Sequence, residues 1–429
     1  MPADAIPLSD GRTIPWGEVE AFFTHVVPRE YPVLSQLRID STLPAAKKLI
    51  YMIHTLPDRL WDAKRRGKTV VGRWGAANPT DIFYACGMVP TSTYGFGTRC
   101  AFRGDISFIA TGRAALAQDT CAWQACMHGA IKKGAIPMDV GYTFVGTWCY
   151  DSQYNFENLR EHIPFVGYFD QAMFGLWPGK DAQVFRGYIR RQLEKFFDEM
   201  ETVTGRRVTE EDLRREIRLE NRIRASLRKL KDFELTAAEP PMDSMTSFMF
   251  DCMTVDWLAD TTAALSILEG ACAEVEERVQ RGERAAGVKD EPVRVLMTGM
   301  PPFDYAFYNQ VDDLGGVQLG LDGLWNTRHI REDGDPYDAL VDSIVDIPVG
   351  NFMLRGNPDT LETVRKGRVD GVIFHIVVGC RRVAEMARLY ADTLKEKTGI
   401  PTLIIEGDLP GQGHGQRMTR LQAFFETIG

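Results

Sequence analysis

The last third of the sequence alternates short apolar runs with longer amphipathic segments, and this alternation limits the possible folds more than any other feature. The runs are typical of strands buried on both faces, and the segments between them have apolar residues at helical spacing. The predicted strands are VRVLMTG, VQLGLDG, DGVIFHIVV and PTLIIEG. Buried strands joined by helices form a mostly parallel sheet covered on both faces. We therefore predict a doubly wound α/β domain.

A second region of the same kind precedes this one. Its predicted strands are TVVGRWG, MVPTSTYG, DVGYTFVGTWC and PFVGYFD, and its predicted helices are PTDIFYACG, DTCAWQACMHGAIKK and NFENLREH. The length of 429 residues is too great for one ordinary core and agrees with more than one domain. The predicted fold class is α/β, with two doubly wound, Rossmann-like parallel-sheet domains plus N-terminal and central helical elements.

The pattern divides the chain into four parts. Residues 1–66 form a predicted N-terminal helical segment, and residues 67–235 form the first α/β domain. Residues 236–290 contain a long helix and a linker, and residues 291–429 form the second α/β domain. We expect the first domain to carry two functional cysteines and the second domain to carry one, as argued below.

Two helical features stand out between the predicted sheets. Residues 181–233 predict a charged helical hairpin that turns at Gly205. Its second helix begins with a capping-box pattern, TEED, over Thr209 to Asp212. A single long amphipathic helix is predicted from about Ser244 to Gln280.

Composition excludes several classes of protein. The formal net charge of −9 argues against nucleic acid as a partner, because such proteins usually have a basic face. Apolar runs such as Val372 to Val378 are too short to span a membrane. The N-terminus lacks the basic and apolar regions of a signal peptide. We expect a cytoplasmic protein without a membrane partner, whose eight cysteines are thiols or metal ligands rather than disulfides.

Three of the cysteines fall where a predicted strand ends or a helix begins. Cys121 follows Asp119 and Thr120, which would cap its helix, Cys149 ends a strand, and Cys380 lies between a strand and a helix. Ligands bind at the carboxyl ends of parallel strands, and a helix N-terminus favours a thiolate. Three thiolates between two lobes could hold a [4Fe–4S] cluster and leave one iron without a cysteine, although CxxCxxC spacing is absent. Packing alone is the alternative at each position.

Several other residues are candidates for binding or catalysis. Thr298 and Gly299 lie in a TGMPP turn that follows a strand, and Arg381 follows Cys380 at a helix start, where an anion would compensate its charge. We assign these three to substrate binding. His414, in the loop GQGHG, and Glu406, at the end of a strand, are candidate catalytic residues.

The other five cysteines have a simpler interpretation. Cys252 and Cys272 are predicted to pack on a helix, and Cys86, Cys100 and Cys126 are predicted core or loop residues. The alternative for the last three is that extra thiolates support a double-cubane cluster. The sequence GERAAGVK lacks the Gly–Lys pair of a P-loop and follows a helix, so no nucleotide-hydrolysis loop of that kind is predicted.

Together, these motifs resemble the 2-hydroxyacyl-CoA dehydratase and benzoyl-CoA reductase family, also called the dehydratase D-component family. The likeness runs from about Val70 to the end of the chain. Its order and spacing are more specific than any one motif. The segments that carry it are PTDIFYACGMVP, DTCAW, FVGTWCYD, VRVLMTGMPP, GLWNTRHIREDGDPYDALVDSIVDIP, VDGVIFHIVVGC and the tail from GIPTLIIEGD to GQRMTRLQAFFE.

The resemblance implies both a site and a function. Cys121, Cys149 and Cys380 match the three ligands of the family's [4Fe–4S] cluster. The implied function is low-potential electron transfer to a coenzyme A thioester, an acyl-CoA or benzoyl-CoA. A separate iron–sulfur activator hydrolyses the ATP, and a homologous second catalytic subunit completes a hetero-oligomer. Dehydratases form a ketyl radical and release water, whereas benzoyl-CoA reductases add two electrons to an aromatic ring.

Departures from the family pattern separate the possible functions. Tyr150 stands between Cys149 and Asp151, and Arg381 follows Cys380 where dehydratases often have Asp. The length of the chain also resembles the larger benzoyl-CoA reductase-type subunit. We therefore expect a benzoyl-CoA reductase-like iron–sulfur oxidoreductase subunit. The alternatives are an (R)-2-hydroxyacyl-CoA dehydratase subunit, a homodimeric double-cubane reductase of small molecules, and a metal-free two-lobed ligand-binding protein.

Overall fold

The fold contains two four-stranded parallel sheets flanked by helices. A computed structural model describes residues 5–74, 79–145, 149, 151–171, 182–321, 327–345 and 358–429. A small antiparallel hairpin, which the sequence did not predict, begins the described chain with β1 (Ala5–Pro7) and β2 (Thr13–Pro15). The α/β fold class predicted from the sequence is confirmed.

The first sheet has the strand order β4-β3-β5-β6, and all of its strands are parallel. The strands are β3 (Val70–Trp74), β4 (Val89–Ser92), β5 (Val140–Val145) and β6 (Phe165–Asp170). Five of the six residues of β5 are buried, as expected for a strand covered on both faces. This sheet and the helices between its strands form what we call the first lobe.

The second sheet has the strand order β10-β9-β7-β8 and is also parallel throughout. The strands are β7 (Val293–Gly299), β8 (Gly316–Leu321), β9 (Gly371–Val377) and β10 (Thr402–Gly407). Every residue of β9 is buried. This sheet and its helices form the second lobe, which corresponds to the clearest strand and helix alternation in the sequence.

The helices divide into four groups along the chain. The N-terminal group is α1 (Trp16–Ala21), α2 (Val27–Glu30), α3 (Pro44–His54) and α4 (Leu56–Arg65). The first lobe contains α5 (Asp81–Ala85), α6 (Thr93–Arg103), α7 (Ser107–Ala115), α8 (Ala122–Lys132) and α9 (Asp151–Glu157). The central group is α10 (Ala182–Thr204), α11 (Glu210–Thr236), α12 (Ser244–Cys252) and α13 (Thr261–Arg281). The last group is α14 (Ala306–Asp313), α15 (Pro336–Val345), α16 (Pro358–Lys366), α17 (Arg381–Thr398) and α18 (His414–Ile428), of which α15 packs against α10 and the core of the first sheet.

The predicted charged hairpin is present as α10 and α11. Gly205 ends the first of these helices with a left-handed φ of 68°, which glycine adopts without strain. The Thr209 hydroxyl accepts from the Asp212 backbone N–H at 3.1 Å, and the Asp212 carboxylate accepts from the Thr209 N–H at 3.1 Å. This reciprocal pair is the capping box that the sequence indicated.

The prediction of one long helix from Ser244 to Gln280 is wrong, because the chain breaks between α12 and α13. The Asp256 carboxylate accepts hydrogen bonds from the backbone N–H groups of Leu258 and of Ser92 in the first lobe. Leu258 and Ala259 then adopt left-handed φ angles of 53° and 62°. Asp260 caps the new helix through a 2.9 Å hydrogen bond from the Ala263 N–H. A tertiary contact therefore overrides the local helical pattern.

Besides two smaller clusters that each contain strands of one sheet, the two lobes share one hydrophobic core. That core joins residues of both sheets, among them Val70 of β3 and Val377 of β9, with the buried helix α12. Because both sheets are parallel, each has all its carboxyl ends at one edge, and these two edges face each other. In the described part of the chain, no helix combines the length and the apolar character needed to cross a bilayer.

Candidate functional site

A cavity of about 280 Å³ lies between the carboxyl ends of the two sheets. Its walls include residues at or beyond the carboxyl ends of four strands: Ser92, Cys149, Met300 and Cys380. Cys121, at the start of α8, also lines it. The structure thus brings together the three cysteines that the sequence singled out. This is the edge at which parallel α/β sheets usually bind ligands.

Cys121 is the residue immediately before α8. Its side chain is buried, and the backbone N–H groups of Gln124 and Trp123 in the first turn of the helix point at the thiol. Burial raises the pKa of Cys121 to about 11, and these N–H groups act in the opposite direction. The backbone therefore offers hydrogen bonds to a sulfur that the surroundings otherwise keep protonated.

Cys149 lies between β5 and α9 and is partly buried. The Gln124 side-chain amide donates a hydrogen bond to the Cys149 Sγ at 3.1 Å. Burial raises the pKa of this thiol to about 12, with a further contribution from Cys121, while the N–H groups of Asp151 and Ser152 lower it. Cys149 and Cys121 are therefore neighbours, and one glutamine that belongs to α8 contacts Cys149.

Cys380 is the residue immediately before α17. Burial raises its pKa above the ordinary value, the nearby Cys121 thiol adds to the rise, and the Val383 N–H in the first turn opposes it. Each of the three thiols is thus partly or fully buried beside backbone N–H donors. A cation that binds thiolates would offset the cost of ionising them.

A glycine allows Cys380 to lie next to Cys121. Gly379 has a left-handed φ of 85°, and a Cβ at this position would stand 1.9 Å from the Asp119 carbonyl oxygen and 2.9 Å from the Cys121 backbone nitrogen. Real Cβ atoms essentially never approach other atoms so closely. Only glycine lets the backbone of the second lobe approach that of the first lobe here.

Two ion pairs join the lobes beside this contact. The Arg113 guanidinium binds both carboxylate oxygens of Asp408, at 2.8 and 2.6 Å, and both side chains are largely buried. The same guanidinium donates to the Thr120 carbonyl at 2.9 Å, immediately before Cys121. Arg381 pairs with Asp119 at 3.2 Å, but both of these side chains are exposed.

Charged side chains line the cavity, with cations in excess. Three are arginines, Arg73 of β3 and Arg381 and Arg382 at the start of α17, and two are acidic, Asp151 and Glu385. Arg73 donates to the Val255 carbonyl, and the charges of Asp256 and Glu220 lie nearby. The cavity can therefore hold an anionic group close to the thiols.

The apolar part of the wall comes from both lobes. The Trp123 indole N–H donates to the Pro301 carbonyl at 3.1 Å, and its ring packs against that of Tyr94 with centroids 5.0 Å apart. The Tyr94 hydroxyl lies 3.9 Å from the Met300 sulfur. The sequence reasoning missed Tyr94, Trp123 and Gln124 as site residues. Their signal was position, because Tyr94 lies just beyond a strand end and the other two follow Cys121 closely.

These residues fit an iron–sulfur cluster with three cysteine ligands. Three thiols line one cavity, backbone and Gln124 N–H groups point at them, and three arginines and the Trp123 ring lie in the same wall. Within the described residues, no three His, Cys, Asp or Glu side chains are grouped tightly enough for a single metal ion. A cubane spreads its ligands over different irons, so that finding concerns a mononuclear site.

Comparison with known families identifies the family of this chain. Residues 76–428 match the family described as 2-hydroxyglutaryl-CoA dehydratase, D-component. The chain belongs to this family. The resemblance inferred from the sequence motifs is therefore confirmed, and the match includes all three cavity cysteines.

Two curated relatives are dehydratase subunits. The alpha subunit of (R)-2-hydroxyglutaryl-CoA dehydratase from Acidaminococcus fermentans is 24% identical over 250 residues, which are 56% of this chain and 50% of that protein. The alpha subunit of lactoyl-CoA dehydratase from Anaerotignum propionicum is 22% identical over 258 residues, which are 57% of this chain and 58% of that protein. The match thus spans half the length of the first relative and 58% of the second.

Of the three residues predicted to bind substrate in this D-component family member, one lines the cavity and two do not. Arg381 lines the cavity, whereas Thr298 and Gly299 do not. The next residue along, Met300, reaches the cavity instead. Thr298 is buried. Gly299 has a left-handed φ of 87°, and a Cβ there would also collide with the His375 carbonyl oxygen, so both observations favour glycine.

The two predicted catalytic residues lie outside the cavity. Glu406 is an exposed residue of β10, and His414 is exposed at the start of α18, where its Nδ1 lies 2.9 Å from the Gln310 amide nitrogen. Neither residue lines the cavity that contains the three cysteines. Their positions give no support to a catalytic role.

The remaining cysteines do not line the cavity either. Cys86, Cys100 and Cys126 are buried. The Cys126 thiol is hydrogen-bonded to the Cys100 thiol, and this bond together with burial raises the pKa of Cys126 well above its ordinary value. Cys272 is buried on α13, as a packing residue would be. Cys252, at the end of α12, is partly buried.

Proposed function

We propose that this chain is the iron–sulfur subunit of a 2-hydroxyacyl-CoA dehydratase-type enzyme. Cys121, Cys149 and Cys380 would bind a [4Fe–4S] cluster, and the adjoining cavity would receive the acyl end of a CoA thioester. The observation that carries this proposal is that these three thiols line one cavity at the carboxyl ends of both sheets. The names of the two dehydratase relatives support the reaction class.

The protein side chains have defined tasks in this proposal. When bound, the cluster supplies an electron at low potential. Gln124 holds the Cys149 sulfur through its amide, and hydrogen bonds of this kind tune such clusters. Trp123 and Met300 limit the access of water. Arg381 and Arg382 offset negative charge on the thiolates or on the phosphates of CoA.

Two protein partners belong to the same proposal. The relatives carry the designation alpha subunit, which supports a homologous second catalytic subunit in a hetero-oligomer. The chain has no P-loop pattern, so a separate iron–sulfur activator would hydrolyse the ATP that drives electron transfer.

A benzoyl-CoA reductase-like activity is the second candidate. It is favoured by the two arginines that follow Cys380 where dehydratases often have Asp, because Arg381 and Arg382 both line the cavity. The reactions differ in product. With the activator, ATP and a reductant, a dehydratase would convert a 2-hydroxyacyl-CoA to an enoyl-CoA, whereas a reductase would convert benzoyl-CoA to a cyclic diene.

Iron and acid-labile sulfide per chain test the cluster directly. After anaerobic purification we expect about four irons per chain, with loss of iron in Cys121→Ser, Cys149→Ser and Cys380→Ser. Cys272→Ser is the matched control, because this buried thiol lies away from the cavity and its serine can still donate to the Ser226 carbonyl. It should retain the iron.

Other iron contents would favour other functions. About eight irons per chain, with a requirement for Cys86, Cys100 or Cys126, would favour the homodimeric double-cubane reductase. No iron in a correctly folded wild-type chain would contradict the proposal and favour a metal-free ligand-binding protein.

A further inference from the structure

Tyr94 is held rigidly at the cavity wall. It lies in the first turn of α6, where its backbone N–H donates to the Ser92 hydroxyl oxygen at 3.1 Å. That hydroxyl in turn donates to the buried Asp256 carboxylate at 2.6 Å. The Tyr94 ring packs against Trp123, which is itself fixed to the Pro301 carbonyl. The Tyr94 ring is therefore held by its backbone hydrogen bond on one side and by its contact with Trp123 on the other.

The Tyr94 hydroxyl has a weak partner. Of the described residues, only the Met300 thioether accepts from it, at 3.9 Å, and a thioether is a poor acceptor. Burial raises the pKa of Tyr94 well above its ordinary value, and the nearby thiols of Cys252, Cys121, Cys380 and Cys149 add to the rise. The phenol is therefore a neutral donor beside the three proposed cluster ligands.

Three other donors on this wall already have closer acceptors than Tyr94 has. The Ser92 hydroxyl donates to Asp256, the Gln124 amide donates to Cys149, and Arg73 donates to the Val255 carbonyl. Tyr94 differs from these three because a polar ligand atom in the cavity would be a better acceptor than its present partner. A ligand oxygen beside the thiols would gain this hydrogen bond at little cost to the protein.

We propose that Tyr94 is a catalytic residue whose hydroxyl donates a hydrogen bond to the carbonyl oxygen of the CoA thioester. This inference rests on the proposed function. Negative charge gathers on that oxygen when a thioester accepts an electron, and a donor fixed beforehand stabilises the charge. The phenol keeps its proton, so no bond forms or breaks at Tyr94. The role is the same for a dehydratase and for a reductase.

Tyr94→Phe tests this role because it removes only the hydroxyl. The affinities of iron-loaded protein for butyryl-CoA and for its thioether analogue, which lacks the carbonyl oxygen, would be measured by anaerobic calorimetry. We expect the substitution to weaken thioester binding about 3- to 10-fold and to leave thioether binding unchanged. Turnover should fall about 10²- to 10³-fold.

Tyr308→Phe is the matched control. Tyr308 is fully buried, its hydroxyl has no hydrogen-bond partner among the described residues, and it does not line the cavity. Its loss should change neither affinity nor iron content. Equal thioester binding by wild type and Tyr94→Phe would overturn the inference, as would equal weakening of both ligands. A wild-type protein that binds no thioester would overturn the proposed function as well.

Discussion

The two lobes have the same architecture but contribute differently to the cavity. The first lobe supplies two of the three cysteines, and side chains within that lobe hold them together. The Gln124 amide donates to Cys149, and Asn155 of α9 donates to the Gln124 side-chain oxygen at 2.8 Å and contacts His128 at 2.6 Å. The second lobe supplies only Cys380, and contacts between the lobes set its position.

This difference separates two kinds of structural control. The Cys121–Cys149 pair depends on a hydrogen-bonded chain between neighbouring helices of one lobe. The placement of Cys380 depends on Gly379 and on the Arg113–Asp408 pair, which joins residues far apart in sequence. Substitutions between the lobes should therefore displace Cys380 and leave Cys121 and Cys149 in place. Substitutions within the first lobe should change the surroundings of Cys121 and Cys149 while these two thiols remain together.

The largest effect is expected for Gly379→Ala. The new Cβ would collide with the Asp119 carbonyl, and the left-handed backbone adds strain. We expect a clear fall in melting temperature and, under the proposed function, loss of most of the bound iron. Gly399→Ala is the matched control. Gly399 follows the last residue of α17, the helix that begins just after Gly379, and has a φ of 76°. No atom lies within 4 Å of its Cβ position. This substitution should cost only about 1 kcal/mol and retain iron. Equal iron content in the two variants would contradict the role of the close approach.

The ion pairs between the lobes should differ in strength. Arg113 and Asp408 are largely buried and bidentate, so a double-mutant cycle with Arg113→Ala and Asp408→Ala should give a coupling of about 2 kcal/mol in the free energy of unfolding. The same cycle at the exposed pair Arg381–Asp119 should give less than about 0.5 kcal/mol. Similar couplings at both pairs would show that burial does not decide their contribution.

A pH effect should arise within the second lobe. His375 is fully buried with its Nδ1 2.7 Å from the Met300 carbonyl, and burial lowers its pKa from 6.5 to about 4. Between these two values the unfolded chain binds a proton that the folded chain does not bind, so the contribution of His375 to stability falls as the pH falls. We expect this contribution to lose about 2 kcal/mol from pH 7 to pH 5.

His375→Asn provides the comparison for this effect, since asparagine does not titrate and can still donate to the Met300 carbonyl. Urea unfolding of both proteins at pH 7 and pH 5 would give the difference in pH dependence. His54, whose pKa burial also lowers to about 4, is present in both proteins and cancels. An identical pH dependence in the two proteins would rule out a titration of His375 in this range.

The smallest effect is expected for Gln124→Leu. This change removes the amide hydrogen bond to Cys149 while Cys121 and Cys149 stay on the same lobe. Under the proposed function, loss of a hydrogen bond to a cluster sulfur lowers the reduction potential, so the midpoint potential should become more negative with the iron content unchanged. A redox titration followed by electron paramagnetic resonance measures this shift. A lower iron content in Gln124→Leu would instead indicate that Gln124 is needed to retain the cluster.

The sequence predicted the parallel sheets and the position of all three cavity cysteines, because strand ends and helix starts have local patterns. It missed features that depend on contacts between distant residues. The break at Leu258 and Ala259 follows from the hydrogen bonds of Asp256 to the first lobe. The Gly379 contact and the placement of Tyr94 likewise depend on packing between segments. The predictions for His414 and Glu406 rest on their loop and strand-end positions, and such positions do not show which side of the lobe faces the cavity.

The close backbone contact at Gly379 also has a consequence for biosynthesis. Cys121 and Cys149 leave the ribosome more than 200 residues before Cys380, so a nascent chain carries an incomplete set of thiols while the second lobe is still being made. The third thiol joins them only when the finished second lobe docks against Asp119. Under the proposed function, cofactor insertion would therefore follow synthesis and docking of the second lobe, and a maturation factor would meet both lobes together rather than an isolated first lobe.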